Sequence, residues 1–235
     1  MKAIPHATLQ FLGPILVHQA IRKQKNLTKS HRGLDDAVDF AFTFRYLTCG
    51  MSLVQDKREI RTLLDLLNDL SPKNCLEIGT AGGGTLFLFS RVVHEDAKLL
   101  SVDLPGGRWG LGYPYWKIPF YRSFARAGQE IILIRHDSHN PTTFERVKEE
   151  LAGEKLDFLF LDGDHTYEGV KKDFEMYSPL VRKGGLIVLH DIVPNPSDKD
   201  VGVFRFWNEI RQDYEHSEII ESLQQGCLGI GVLYC

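Results

Sequence analysis

The sequence predicts an α/β protein with a doubly wound, mostly parallel sheet and an antiparallel strand pair at its C-terminal end. From residue 55 onward, short apolar runs alternate with segments of helical periodicity. The apolar runs are nearly continuous, which is typical of parallel strands covered on both faces. Five runs also end on or beside an acidic residue, at the edge where open sheets of this type bind ligands.

Composition limits the classes of protein that fit. The chain has 235 residues, of which 43% are apolar and 25% charged, so one globular domain of ordinary to large size is expected. A net charge of −3 without a basic run argues against nucleic acid as a partner. The four cysteines are far apart in sequence, which disfavours a disulfide framework and predicts a cytoplasmic location.

Residues 1–50 lack the alternation of strands and helices. Their apolar part is interrupted by Gly13-Pro14 and is too short to cross a bilayer. We expect a helical cap or an oligomerisation arm here, so that a homo-oligomer is one interpretation and packing on the core is the other. The segment 35–49 is expected to be irregular helix. Residues 51–235 are expected to form the ligand-binding catalytic domain.

The elements follow in order from residue 55. Ile60, Leu63, Leu64 and Leu67 form one apolar helical face, and Ser71-Pro72 ends that helix. A first strand follows over 74–78. Further strands are predicted over 98–102, 131–134, 156–161 and 186–189, and an antiparallel pair over 218–223 and 227–233. Between them, Asn140-Pro141 has the composition of a helix N-cap and first helical residue.

The glycine-rich turn after the first strand is the clearest binding motif. Gly79, Ala81 and Gly84 nearly match the dinucleotide pattern G-x-G-x-x-G, and Asp103 lies at a suitable distance for a ribose. An NAD(P)-dependent oxidoreductase is therefore one hypothesis. Glu77 argues against it, because a carboxylate two residues before the turn would repel a pyrophosphate. The same carboxylate suits a ligand with an ammonium and a sulfonium group, such as S-adenosylmethionine.

Two longer motifs carry a family resemblance. The runs E-I-G-T-A-G-G-G, S-V-D and H-D-S resemble a class I S-adenosylmethionine-dependent methyltransferase. The runs F-L-D-G-D-H-T-Y-E-G-V-K-K-D and G-G-L-I-V-L-H-D-I are similar to the group that includes cephalosporin-hydroxylase-like and macrolide-sugar O-methyltransferase proteins. The resemblance covers roughly residues 51–215 and implies a Rossmann-like methyltransferase fold.

The resemblance implies a cofactor site for S-adenosylmethionine. The glycine turn should line its methionine end, a carboxylate should bind the ribose hydroxyls, and an Asp-Ser pair should approach the adenine. The residues in these places are Glu77, Gly79, Thr80 and Ala81, then Asp103, then Asp137 and Ser138. The alternative for Asp103 is a turn former at a strand end, and Asp137 and Ser138 have a purely structural alternative as well.

A second constellation lies at the ends of the fourth and fifth strands. Adjacent parallel strands lie about 4.8 Å apart, so Asp162, His190 and Asp191 can surround one point. These donors suit a divalent cation such as Mg²⁺ or Mn²⁺. A related metal-dependent pattern has an acid or amide where this chain has His190, so Asp162 and Asp191 alone are the alternative ligand set. His165 resembles the candidate general base, and its alternative role is in a helix-capping turn with Asp164.

Other polar and aromatic groups are assigned less specific roles. The segment 104–124 is rich in aromatic residues, glycine and proline, and is either a substrate lid or a packed loop. Its candidate substrate contacts are Arg108, Trp109, Trp116 and Arg122. The segment 203–207 is a second candidate for closing the pocket. The remaining histidines are expected to be surface or packing residues: His6, His18, His31, His94, His136, His139 and His216.

These predictions combine into one function. The chain is expected to be an S-adenosylmethionine-dependent methyltransferase that methylates a hydroxyl of a small molecule, such as a sugar, glycan precursor or secondary metabolite, with the help of a divalent cation. The alternatives are the oxidoreductase and a non-catalytic protein that binds S-adenosylmethionine.

Overall fold

A seven-stranded sheet forms the centre of the molecule. The computed structural model describes residues 6–30, 32–46, 49–106, 112–222 and 225–235, with side chains described from residue 16 onward. The strands of the sheet are β3 Asn74–Ile78, β4 Lys98–Val102, β5 Glu130–Ile134, β6 Leu156–Leu161, β7 Val181–His190, β8 Glu215–Ile219 and β9 Ile230–Tyr234. The strand order is β5-β4-β3-β6-β7-β9-β8, in which the first five strands are parallel and β9 is antiparallel to both neighbours. The predicted fold class is confirmed.

Helices cover both faces of this sheet. One face carries a buried apolar cluster built with residues of the helices before and after β3, and the other carries a cluster built with residues of the later helices. The helices are α1 His6–Thr28, α2 Leu34–Thr43, α3 Lys57–Leu70, α4 Gly84–Val92, α5 Ile118–Arg122, α6 Pro141–Leu151, α7 Tyr167–Tyr177 and α8 Val203–Ile210. Asp56 caps α3 by accepting hydrogen bonds from the backbone N–H groups of Arg58 and Glu59, and Asn140 caps α6.

The N-terminal segment differs in part from its prediction. Helix α2 ends at Thr43, and a two-stranded hairpin of β1 (Arg45–Tyr46) and β2 (Cys49–Gly50) follows in place of irregular helix. Val17, Phe40 and Phe44 are buried in the same apolar cluster as α4. None of the described helices is long and apolar enough to span a membrane.

The chain reverses direction across the sheet between β3 and β6. It runs outward from β3 through β4 to β5, then returns to the other side of β3 with β6 and β7. This change in strand order opens a crevice at the carboxyl ends of the neighbouring strands, which is where ligands bind in open α/β sheets.

Candidate functional site

A cavity of about 470 Å³ lies at this crevice. Its wall is built from the carboxyl ends of β3 to β7 and from the segment 52–55, which precedes α3. Ten of the eleven residues assigned to the site from sequence line this one cavity: Gly79, Thr80, Ala81, Asp103, Asp137, Ser138, Asp162, His165, His190 and Asp191. Glu77 is not among the lining residues.

The glycine turn owes its composition to close backbone contacts. Gly79 has φ +95°, and a Cβ there would lie 2.0 Å from the carbonyl oxygen of Asp162. A Cβ on Gly82 would lie 1.9 Å from Ser52 Oγ, because the segment that precedes α3 crosses the turn. Tyr121 donates a hydrogen bond to the carbonyl of Ala81 at 2.9 Å. The turn is therefore held between β6, residue 52 and an aromatic side chain.

Glu77 lies beneath the cavity wall rather than on it. Its side chain is 2% exposed, and Thr85, which does line the cavity, donates a hydrogen bond to Oε1. Oε2 is buried without a hydrogen-bond partner in the part of the chain that the structure describes. Burial raises the pKa of Glu77 to about 8, with a hydrogen bond from Thr85 acting in the opposite direction. Near neutral pH burial thus favours a neutral carboxyl, which weakens the charge argument made from the sequence.

Replacing Glu77 by glutamine is expected to change how stability depends on pH. The native pKa lies near 8 and the reference value is 4.5. Between these values the unfolded chain has lost the proton that the native chain keeps, so the free energy of unfolding falls as pH rises. Glu77→Gln removes this fall. Between pH 5 and pH 9 the free energy of unfolding of the wild type should therefore drop by on the order of a few kcal/mol more than that of the variant. Urea unfolding of both proteins without ligand at pH 5, 7 and 9 measures it. Two curves that stay parallel across this range contradict the prediction.

Asp103 ends β4 with a buried carboxylate that faces the cavity. It is 7% exposed, and Oδ2 has no hydrogen-bond partner among the described residues. Burial raises the pKa of Asp103 to about 6. Hydrogen bonds from the backbone N–H groups of Ala81 and Leu104 act in the opposite direction, because they favour the charged form. A buried acceptor that lacks a partner has the chemistry to accept a ligand hydroxyl.

Asp137 and Ser138 line the cavity on the side of β5. Asp137 Oδ1 accepts a hydrogen bond from the backbone N–H of His139 at 2.8 Å, and the Ser138 carbonyl accepts one from Tyr177 Oη at 2.7 Å. Both bonds fix the loop after β5, which brings this pair to the same cavity as Asp103.

A network of carboxylates and imidazoles occupies the other end of the cavity. His165 Nδ1 lies 2.6 Å from Asp191 Oδ2, and His190 Nδ1 lies 3.0 Å from Asp162 Oδ1. Gln55 Nε2 donates to the second oxygen of Asp162 at 3.1 Å. Burial lowers the pKa of His190, but the two nearby carboxylates more than offset it and raise the value to about 9. Burial favours the neutral form of Asp191, whereas the two histidines hold its pKa near 2.

Donors for a metal ion are present, with one change from the predicted set. One donor atom each from Asp162, His165 and Asp191 lies within 4.8 Å of the others. His190 is 3% exposed, and its Nδ1 faces the carboxylates of Asp162 and Asp191. His165 and His190 each have Nδ1 on a carboxylate, so this contact does not separate them, and the three-residue donor group contains His165. His190 as a ligand stays a prediction. Oxygen donors with one imidazole fit Mg²⁺ or Mn²⁺.

Several lining residues were missed from the sequence. His136 and His139 were assigned to surface or packing roles, but both line the cavity. His136 Nδ1 lies 2.7 Å from Thr143 Oγ1, and His139 Nε2 lies 3.3 Å from the buried Asp173. The strand-end rule that found Asp137 applies to both histidines, because they stand beside it after β5. The segment 52–55 carries no motif and could not have been found from sequence spacing.

The aromatic segment after β4 is mostly core. Tyr113, Phe120, Tyr121 and Phe124 are each at most 1% exposed, and α5 forms where neither helix nor strand was expected. Trp116 packs against the core, whereas Arg108 and Trp109 lie outside the described residues. The second proposed lid is wrong. Residues 203–207 belong to α8, which packs on α7, and none of them lines the cavity.

Comparison with known sequences identifies the family. Residues 76–192, about half of the chain, match the family Methyltransf_24, described as a methyltransferase domain. An uncharacterized protein of Acanthamoeba polyphaga mimivirus is 53% identical over 49% of this chain and 50% of its own length. A caffeoyl-CoA O-methyltransferase of Medicago sativa is 29% identical over 52% of this chain and 46% of that protein. A rhamnosyl O-methyltransferase of Mycobacterium leprae is 25% identical over 60% of this chain and 58% of that protein. The chain thus spans about half the length of these curated relatives.

Solved structures support the same fold. An O-methyltransferase from Bacillus cereus, solved in complex with S-adenosylhomocysteine (SAH), superposes with a TM-score of 0.60 at 16% identity and covers 93% of this chain and 100% of its own. At that identity the likeness concerns the fold. Together with the family match and the glycine turn at the switch point of the sheet, it shows that this chain belongs to the class I S-adenosylmethionine-dependent methyltransferases.

Proposed function

We propose that this protein transfers a methyl group from S-adenosylmethionine to a hydroxyl oxygen of a small molecule. One observation carries the proposal: a single cavity joins the glycine turn and Asp103 at one end to the His165–Asp191–Asp162 network at the other. The methyl donor supplies an electrophilic methyl group on a sulfonium. The chain must then bind that donor, orient a hydroxyl and remove its proton.

The cofactor end fits a nucleoside. In our proposal Asp103 accepts hydrogen bonds from the ribose hydroxyls, Asp137 and Ser138 face the adenine, and the turn 79–81 lines the methionine end. The unpartnered Oδ2 of Asp103 supports this assignment. Thr85, which bonds Glu77, extends the same wall.

Asp103→Asn is expected to weaken the binding of SAH. An amide can accept at one atom only, so at least one hydrogen bond from a ribose hydroxyl to a charged acceptor is lost. Such a bond contributes about 1.5–3 kcal/mol, which corresponds to a roughly 10- to 150-fold increase in Kd. Isothermal titration calorimetry with SAH measures this, with the exposed Asp96→Asn as the matched control. An unchanged Kd in Asp103→Asn would remove Asp103 from the cofactor site.

At the acceptor end we propose His165 as the general base. Asp191 accepts from the Nδ1–H of His165, and this fixes the tautomer in which Nε2 can take a proton from the acceptor hydroxyl. Asp191 also stabilises the imidazolium that results. Gln55 and His190 hold the carboxylate of Asp162 from two sides.

In our proposal the carboxylates of Asp162 and Asp191 would hold a divalent cation, Mg²⁺ or Mn²⁺, because the two ring nitrogens of His165 serve the hydrogen bond to Asp191 and the proton transfer. Such an ion, when bound, lowers the pKa of a coordinated hydroxyl and fixes its position. Mn²⁺ binding measured by electron paramagnetic resonance tests the site without any assay of turnover. Wild type should bind Mn²⁺, and Asp162→Ala should lose it. Equal weak binding by both proteins would remove the metal from the proposal.

The experiment that tests the function is a set of thermal melts followed by an assay. SAH should raise Tm, whereas NAD and NADP should not. A rise with NAD alone would support the oxidoreductase alternative. Binding of SAH without methyl transfer to any member of a sugar and phenol panel would support the non-catalytic alternative. For the acceptor we propose a sugar, glycan precursor or secondary metabolite, because relatives include a rhamnosyl and a caffeoyl-CoA O-methyltransferase.

Three further predictions concern the setting of the protein. We propose a cytoplasmic location, which the wide spacing of the four cysteines in the sequence supports. We propose residues 1–50 as a cap or oligomerisation arm on the catalytic domain 51–235. Light scattering after size-exclusion chromatography tests whether the chain is a homo-oligomer. Nucleic acid is not a proposed partner.

A further inference from the structure

We propose that Glu59, which lies outside the cavity, is a positioning residue for the His165–Asp191 pair. The inference rests on the proposed function, because it assigns Glu59 a role in orienting the general base. Glu59 is in the first turn of α3 and is 1% exposed. It does not line the cavity and lies outside the segment that matches the family.

The local sequence gives Glu59 a different role. Asp56 is the N-cap of α3 and Glu59 stands three residues later, which is the spacing of a capping box. In that motif the glutamate bonds back to the N-cap residue. Here its side chain instead accepts three hydrogen bonds from a segment more than 160 positions away.

Those three bonds anchor the connection between β8 and β9. Oε1 accepts from the Glu221 backbone N–H at 2.9 Å and from Gln225 Nε2 at 2.8 Å. Oε2 accepts from the Gly229 backbone N–H at 3.0 Å. Both carboxylate oxygens are therefore used, and hydrogen bonds to a charged acceptor are among the stronger ones in proteins.

The anchored connection continues to the base. Leu228, next to Gly229, donates its backbone N–H to Asp191 Oδ1 at 3.2 Å. The other oxygen of Asp191 is the partner of His165 Nδ1. Leu228 also accepts a hydrogen bond from the Val193 backbone N–H at 2.9 Å. A continuous path of hydrogen bonds and one peptide unit thus links Glu59 to the imidazole.

Backbone strain makes this anchor necessary. Asp191 has φ +64° and Leu228 has φ +66°. This left-handed backbone conformation is unfavourable in free energy for any residue other than glycine. Such conformations persist where surrounding contacts hold them. The contacts of Glu59 hold one side of this strained pair, and they set where the carboxylate of Asp191 points.

Glu59→Gln tests the proposal because it keeps the shape of the side chain but replaces one acceptor by a donor. We expect kcat to fall between about tenfold and a hundredfold through misplacement of the base, with the Kd of SAH unchanged. Glu59→Asp keeps both acceptors and should recover part of kcat. Arg58→Ala is the matched control, because Arg58 pairs with Glu221 of the same connection at the surface. It should leave kcat unchanged.

A second readout does not depend on turnover. In protein labelled with ¹⁵N-histidine, the His165 Nδ1–H should give a downfield proton signal, assigned by its loss in His165→Gln. The signal should disappear or move in Glu59→Gln and stay in Arg58→Ala. This comparison stands even if the wild type transfers no methyl group, so failure of the proposed function is distinguished from failure of this inference.

The proposal is overturned if Glu59→Gln lowers Tm but keeps both kcat and the His165 signal, because Glu59 then acts in folding only. Should Glu59→Gln not fold, Gln225→Ala replaces it and removes one of the three bonds. A severalfold fall in kcat with a moved His165 signal supports the inference, and wild-type values for both overturn it.

Discussion

Replacing His165 by alanine is expected to lower kcat for methyl transfer by about 10²–10⁴-fold, the usual contribution of a positioned general base. Binding of SAH should stay within about twofold of wild type, because the cofactor contacts lie at the other end of the cavity. A methyltransferase assay under saturating methyl donor, together with calorimetry, measures both quantities.

The same variant separates two roles of the imidazole. If His165 is only a base, His165→Ala binds Mn²⁺ as wild type does. If it is also a ligand, as the donor spacing allows, Mn²⁺ affinity falls together with kcat. His216→Ala is the control, because that exposed histidine lies outside the cavity. A His165→Ala variant with wild-type kcat would contradict the base assignment outright.

Gly79→Ala is expected to give the largest loss of stability among single substitutions at the site. The new methyl group would lie 2.0 Å from the Asp162 carbonyl oxygen, and φ is +95°. The clash and the backbone conformation together should cost about 2–5 kcal/mol. Because β3 and the end of β6 must separate to admit the methyl group, the binding of SAH should be lost as well. Urea unfolding and calorimetry measure the two effects.

A control for Gly79→Ala is available in Gly153→Ala. Gly153 has φ +88°, and a Cβ there would meet no described atom within 4 Å. It therefore reports the conformational cost alone, about 1 kcal/mol, with SAH binding unchanged. Equal losses in both variants would mean that the contact between Gly79 and Asp162 contributes nothing.

The sheet could be predicted because its information is local. Continuous apolar runs in the sequence identify the five parallel strands. Each strand ends near a polar residue that lines the cavity. The parallel strands β3 to β6, the C-terminal end of α3 and the N-terminal end of α6 are therefore at or within one residue of their predicted positions. The start of β7 was missed because Lys183-Gly184-Gly185 indicates a turn, whereas the structure accommodates it within the strand beside an irregularity in the β6–β7 register.

What could not be predicted depends on contacts between distant parts of the chain. The sequence places Glu77 at the right strand but does not say that Thr85 lies between it and the cavity. It also cannot say that His165 shares one group of potential metal donors with Asp162 and Asp191. Gln55 reaches Asp162 across 107 positions, and no spacing rule anticipates such a contact.

The crossing of residue 52 over Gly82 has a consequence for how sequence variation should be interpreted. One wall of the cavity comes from the segment 52–55, before the part of the chain that defines the family. Two proteins can therefore share every family motif and still differ in the residues that line this side of the cavity. Divergence in one wall of the cavity can accumulate in a four-residue stretch outside the matched segment, so an ancestral reconstruction restricted to that segment would leave this wall undetermined.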